Sequence, residues 1–354
     1  MEEKKRAAFA DYRKVKRRNL LLLLGLGLAV LLFTFLSLVV GQSGMSLGDA
    51  VKGLFGMGEP VNVRIVRFVR FPRILAAIVV GFGLAISGHV MQATLRNPLA
   101  SPSSLGVSNA AVFGANLAIV LGAGSFAGTA GNVLNVNDPY VVALVAFVFA
   151  FGTVMFVVLL SGFRRFSPVT VILLGVAVTG LFTALTTLVQ YLASDQVLAA
   201  AVYWSFGDLS RASYLKIALI AGCVLPSFVA FFCLRWKYNA IAGGDDVAKS
   251  LGVRLSGVRV LSLLLASLIT AVCVSFVGVI GFVGVVCPQL MKRFVGNDSR
   301  YLLPTSGLAG SVLLLLSDAL SRVISSGMDL PVGAVTAIVG TPFFLYILLR
   351  RESK

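Results

Sequence analysis

About ten separate stretches of roughly twenty apolar residues recur along this chain, and no motif constrains its fold as strongly. The first, Leu20 to Val40, holds no charged residue at all. A helix rises 1.5 Å per residue, so roughly twenty such residues cross the ~30 Å hydrocarbon core of a bilayer. Composition agrees: 58% of the 354 residues are hydrophobic and 12% are charged, where a soluble domain carries about a quarter charged. A soluble helical protein would also show a polar stripe on most helices, and several windows here have none. Water cannot be the only solvent for this much apolar surface. The fold class expected is an all-α integral membrane protein of about ten transmembrane helices.

The expected spans are about 20–41, 71–94, 104–122, 140–161, 168–192, 214–234, 257–277, a short 279–292, 302–325 and 333–349. The third and eighth begin in Gly-rich or Pro-rich stretches, which lipid does not tolerate unless protein covers the backbone. Orientation follows from Lys and Arg, which gather on cytoplasmic loops. The tail 1–19 is basic, and the chain ends on Arg350, Arg351 and Lys354. Ten spans put both termini in the cytoplasm and place 22 of the 30 Lys and Arg inside. The domain organisation expected is a basic cytoplasmic tail (1–19), one ten-helix transmembrane domain (20–349) and a cytoplasmic C-terminal tail (350–354). The first apolar run is too long for a typical signal-peptide core and lacks a small-residue cleavage site after it, so it is read as a retained helix.

The net charge of +16 is explained by these cytoplasmic basic residues, and no nucleic-acid partner is expected. Cys223, Cys233, Cys273 and Cys287 all fall inside apolar runs without metal spacing and are read as buried structural thiols. One histidine, His89, cannot make a paired-histidine metal site, and no metal site is expected. Eight basic residues break the orientation rule, and five of them, Lys52, Arg64, Arg67, Arg70 and Arg73, lie on the external side, leading into the second span. Snorkelling anchors explain one or two. Four arginines at three-residue spacing suggest a docking surface for an acidic partner. Asp318 is the only acid in any expected span, and Arg322 four residues on is spaced to pair with it. That pairing offsets the cost of a charge in the membrane, and it favours a structural role for Asp318 over proton relay.

Between the sixth and seventh spans the chain reads Gly244-Asp245-Asp246-Val247-Ala248-Lys249-Ser250-Leu251-Gly252. Glycine breaks the preceding helix, Asp245 can cap a first turn, and Gly252 can close the last. The expected result is a two-turn helix outside the membrane with Val247 and Leu251 exposed on one side. Gly243 followed by Ala248-Lys249-Ser250 nearly matches a phosphate-binding loop. Alanine replaces its second glycine, two aspartates would face the phosphates, and no buried strand precedes it. ATP binding by this chain is not expected.

Several motifs then occur in order: Arg70-Phe71-Pro72-Arg73, Ser87-Gly88, Met91-Gln92, Arg96-Asn97-Pro98-Leu99-Ala100, Leu105-Gly106-Val107-Ser108, Gly278-Val279-Ile280-Gly281-Phe282-Val283-Gly284, Pro288, Gly296-Asn297-Asp298, Leu330-Pro331-Val332-Gly333 and Gly340-Thr341-Pro342. Over about residues 64–349 the chain resembles the iron-siderophore, haem and cobalamin permease family (FecCD-like) of type II ATP-binding-cassette (ABC) importers. The resemblance implies a ten-helix subunit in the cytoplasmic (inner) membrane of a prokaryote, paired with a second copy or a close paralogue. It implies two ATPase subunits inside, which hold the ATP and Mg, and a substrate-binding protein outside. No cofactor is implied for this chain, and no catalysis. By the same resemblance Gly244 to Gly252 match the coupling helix that sits in a groove of the ATPase. Arg70, Arg73 and Arg322 match basic positions that engage the binding protein, while Arg64 and Arg67 join them on charge and side alone. Ser167, Pro168, Val169 and Thr170 border the cytoplasmic gate. The cargo implied is an intact iron chelate, a ferric siderophore first, with haem or cobalamin next.

The chain departs from the family pattern twice. Gln289 stands where a histidine commonly follows the proline of the eighth span, and His89 stands where a small residue is usual. His89 is expected to be neutral and bonded to a neighbouring helix. An ion-coupled secondary transporter is the main alternative, but it needs ionisable groups near the midplane, and Asp318 alone supplies little. An intramembrane enzyme would need a nucleophile with a base, or a metal cluster.

Overall fold

The computed structural model describes residues 2–40, 45–122, 139–162, 167–324 and 330–349. The C-terminal residues Arg350, Arg351 and Lys354, and with them the expected tail 350–354, lie outside the described residues. The chain opens with one long helix, α1 (Glu2–Val39), in which the basic residues and the first apolar run follow one another without a break. Two short helices follow, α2 (Leu47–Leu54) and α3 (Pro60–Ile65). A widened turn over Val66–Arg70 joins α3 to α4 (Phe71–Leu95).

Proline explains that turn. Pro72 has no N–H to donate, and its ring would strike the carbonyl four residues back in a regular helix. The chain answers by opening one turn, in which the Phe71 N–H reaches the Val66 carbonyl five residues back, a π-type turn. The result is one continuous rod from Pro60 to Leu95.

The remaining helices are α5 (Val107–Gly122), α6 (Pro139–Gly162), α7 (Pro168–Tyr191), α8 (Asp195–Ser205), α9 (Tyr214–Cys233), α10 (Arg235–Ala242), α11 (Asp245–Ser250), α12 (Leu255–Val277), α13 (Val283–Val295), α14 (Ser299–Ile324) and α15 (Val332–Leu349). Among the described residues, seven helices are long and apolar enough to cross a membrane: α1, the α3–α4 rod, α6, α7, α9, α12 and α14. The other three expected spans are the shorter α5, α13 and α15. Two of these start later than expected, each for a local reason. Gly106 at φ 85° separates α5 from a 3-10 turn over Pro102–Leu105, and Phe282 at φ 65° delays α13.

The rod is the centre of the molecule. Its most apolar window is 78% buried within the chain, against 17% for α1. Inside lipid the hydrophobic effect does not drive helices together, so close backbone approach must. Gly81 of α4 lies against Gly310 of α14, and Gly88 lies against Gly284 of α13; a Cβ at any of these would overlap the opposing helix. Ser311 Oγ adds a hydrogen bond to the Ile78 carbonyl at 2.8 Å.

Three irregular segments meet where α12 breaks. Phe206 pairs in parallel with Val279. The Asp208 N–H reaches the Val277 carbonyl at 2.8 Å, and the Gly333 N–H reaches the Gly207 carbonyl at 3.1 Å. Gly207, Gly278 and Gly333 have no room for a side chain there. Non-helical backbone survives at membrane depth only when its polar groups are satisfied in this way. The thiols divide: Cys273 and Cys287 are buried as expected, but Cys223 is half-buried and Cys233 is exposed, since their faces of α9 lie on the outside of the bundle.

Candidate functional site

At one end of the rod sits a buried cluster of charge. Asp318 is fully buried. Arg73 Nε donates to its Oδ1 at 2.5 Å, and Arg322 Nη2 stands 2.9 Å from its Oδ2. The i,i+4 pairing of Asp318 with Arg322 is therefore formed, and Arg73 joins it from another helix. Arg70 and Arg322 also close the end of α1. Arg70 Nη1 donates to the carbonyls of Leu38 and, at 3.2 Å, Val39. Arg322 Nη1 donates to those of Ser37 at 3.0 Å and Val40 at 2.8 Å, while its Nη2 donates to Ser37 Oγ. A helix leaves its last four carbonyls without partners, and cations there oppose the negative end of its dipole. Two guanidinium groups serve all four of these carbonyls.

The expected docking arginines are thus unequal. Arg64 is exposed, Arg67 is half-buried with Nε donating to the Leu54 carbonyl at 3.0 Å, and Arg70 and Arg73 are buried. A cavity of about 570 Å³ opens between α5, α6, α8, α9 and α12, with Trp204, Arg211, Lys216 and Phe276 in its walls. Burial lowers the pKa of Arg211, and Asp208 at 3.9 Å pulls it back.

The other end of the rod carries the short helix expected from sequence. Helix α11 covers Asp245–Ser250 and follows Gly244 at φ 121°. Its far end is a Schellman closure: the Gly252 N–H reaches the Lys249 carbonyl at 2.9 Å and the Val253 N–H that of Ala248 at 2.9 Å, with Gly252 at φ 77° as that motif favours. Val247 and Leu251 are exposed, 48% and 67%, while Ala248 is buried. Lys249 pairs with Asp246 at 3.3 Å on the surface. One detail differs from expectation. Gly244 holds the N-cap position, and the Asp245 side chain makes no cap bond; it turns to Arg259 instead.

Ser167, Pro168, Val169 and Thr170 form the start of α7, with Ser167 at the N-cap, Pro168 in the first turn and Val169 64% exposed. Between α4, α10, α13 and α14 a polar cavity of about 200 Å³ is lined by His89, Gln92, Tyr238, Gln289, Lys292 and Asn297, among others. His89 is buried, and its Nε2 has no hydrogen-bond partner. Gln289 Nε2 donates to Gln92 Oε1 at 2.6 Å and to the Pro98 carbonyl at 3.3 Å, bracing α13 against α4. Among the described residues, no three His, Cys, Asp or Glu side chains group closely enough to hold a metal. Arg259 was not among the residues expected to matter. Its only signal in the sequence is a charged residue near the start of an apolar span.

A multi-pass helical membrane subunit with a short, exposed helix between two of its spans has the build of a transport component. The FecCD transport family model matches residues 29–350. The candidate ABC transporter permease protein MJ0087 of Methanocaldococcus jannaschii is 44% identical over 328 residues, covering 92% of this chain and 94% of that one. The vitamin B12 import system permease protein BtuC of Salmonella paratyphi A is 36% identical over 342 residues, covering 96% and 98%. A solved structure, an inward-facing candidate metal-chelate type ABC transporter, superposes with a TM-score of 0.80 at 31% identity, covering 93% of this chain and 98% of that chain. The chain belongs to the FecCD transport family. It is a membrane-spanning permease subunit of an ABC importer, and not an enzyme.

Proposed function

We propose that this permease moves an intact metal chelate inward, from an external binding protein to the cytoplasm, with ATP and Mg bound by two separate ATPase subunits. The observation that carries the ATPase coupling is α11, a short helix whose Val247 and Leu251 are turned outward with nothing among the described residues to cover them. Gly244 to Gly252 are the surface offered to each ATPase. A second permease copy, or a close paralogue, completes the path, and Ser167 to Thr170 border its cytoplasmic gate. Both termini lie in the cytoplasm of a prokaryotic inner membrane, since the N-terminal turns carry a cluster of Lys and Arg.

Among metal chelates two cargoes have support. The motif resemblance favours a ferric siderophore, with haem behind it. The vitamin B12 permeases, similar over 96% of this chain, favour cobalamin. Docking of the loaded binding protein rests on the external basic face. Arg64 and Arg67 meet the acidic partner, with Arg70, Arg73 and Arg322 set behind them and adding positive field. The test has two parts. An ATPase should co-purify with the permease, and Leu251→Asp should abolish stimulation of hydrolysis by loaded binding protein while the subunit remains inserted. Mass spectrometry of the ligand held by the cognate binding protein should find a metal chelate; an uncomplexed amino acid or sugar would overturn the cargo.

A further inference from the structure

Helix α11 is too short to hold its own place. Of its six residues only Ala248 is buried, so something else must fix it to the bundle. The strongest attachment is ionic. Arg259 Nη2 donates to both oxygens of Asp245, at 2.8 and 3.0 Å. Arg259 lies one turn into α12 and is only 4% exposed. Its Nε donates in a second direction, to the Thr94 carbonyl at 3.1 Å. Thr94 belongs to the last turn of α4, where helix carbonyls lack intrahelical partners.

One guanidinium therefore grips three elements: the start of α11, the end of α4, and α12, which carries it. The fields favour this arrangement. An aspartate at the first turn of α11 and an arginine at the last turn of α4 each oppose the dipole charge beside them. A planar fork of five donors suits a carboxylate and a carbonyl at once, whereas an ammonium is a single point of attachment. Arg96, which ends α4 in the left-handed region at φ 49°, brings a second, looser charge to 3.9 Å from Asp245.

We propose that Arg259 is the positioning residue that locks the coupling helix to α4, so that displacement of α11 moves α4 and α12 as one body. The proposal rests on the reading of α11 as the coupling helix. The rod that Arg259 grips reaches the far side of the membrane, where Arg73 binds Asp318 of α14. A push at α11 thus arrives, without an intervening loop, at the helix bearing the external arginines.

The experiment uses the full transporter in proteoliposomes, with the ATPase and the loaded binding protein. Arg259→Met, Arg259→Lys, Asp245→Asn and the double variant Asp245→Asn/Arg259→Met are compared for co-purified ATPase, basal hydrolysis and stimulated hydrolysis. Arg259→Met should keep the ATPase bound and basal hydrolysis running, yet lose at least about five-fold in stimulation, the low end of coupling effects. Arg259→Lys should fall between it and wild type. The double variant should be no worse than Arg259→Met alone, because contacts that act through each other are not additive. Full stimulation in Arg259→Met, or losses that multiply in the double variant, would overturn the proposal. Should Arg259→Met fail to insert, full stimulation in both Arg259→Lys and Asp245→Asn would overturn it equally. Leu251→Asp separates the two ideas. Intact stimulation there sinks the coupling-helix reading itself, whereas uncoupling there with unaffected Arg259 variants sinks only the lock.

Discussion

Replacing Asp318 by alanine should be among the most damaging single changes in this protein. Asp318 has no exposed surface, and the side chains of its partners Arg73 and Arg322 are only 5% and 9% exposed. Removing one member of a buried ion pair costs about 3–5 kcal/mol, because the survivor is left as an uncompensated buried charge. Here one carboxylate serves two arginines, with the buried Arg70 nearby, so the upper part of that range applies. The expected loss for Asp318→Ala is about 4–5 kcal/mol. Asp318→Asn keeps the shape and one accepting oxygen and should lose less. The assay is unfolding of the purified subunit in mixed micelles titrated with a denaturing detergent, both variants beside wild type. If Asp318→Ala unfolded within about 1 kcal/mol of wild type, the level of a surface pair, the cluster would be as weak as an exposed one and the burial argument would fail.

Gly88→Val should destabilise by at least about 1–3 kcal/mol, the cost of overpacking, because its Cβ would enter the backbone of Gly284. Gly152→Ala, with nothing within 4 Å of a new Cβ, should be neutral or stabilising by about 0.5–1 kcal/mol; the same detergent titration reads both. Arg64→Glu/Arg67→Glu should weaken binding-protein affinity in nanodiscs, most clearly at low salt, because charges at the surface are screened over about 8 Å at physiological ionic strength. Affinity unchanged at every salt level would remove these two from the docking face. Single cysteines at 167–170, in a background with the four native cysteines replaced, should change their reaction with a thiol reagent between nucleotide-free and ATP-bound states. Constant labelling would count against a gate there.

The class of the fold was plain in the sequence because lipid imposes a simple rule, a run of apolar residues long enough to cross. Spans such as 140–161 and 168–192 match α6 and α7 within a residue at each end. Helices too short to cross obey no such rule, so α2, α8 and α10 carried no comparable signal. Segment 244–252 was legible because Gly244 and Gly252 mark its ends, but the partner of Asp245 was not, since Arg259 comes from another helix. The arginines at 64, 67, 70 and 73 looked like one stripe. At about 100° per residue a spacing of three drifts by about 60° each time, so the series winds from the exposed Arg64 to the buried Arg73. Spacing alone could not say which member faces water, and the pairing of Arg73 with Asp318 spans 245 residues of sequence.

The closing of α1 by arginines has a consequence for how the chain is made. Arg322 reaches Ser37 across 285 positions of sequence. At roughly 5–20 residues per second of synthesis, about 15–60 seconds separate the emergence of the first helix from that of the side chain that completes it. Through that interval the end of α1 must rely on headgroups, water or the insertion machinery for hydrogen bonds it will later take from within. Helix α1 is therefore finished only when α14 arrives, long after α1 itself was made.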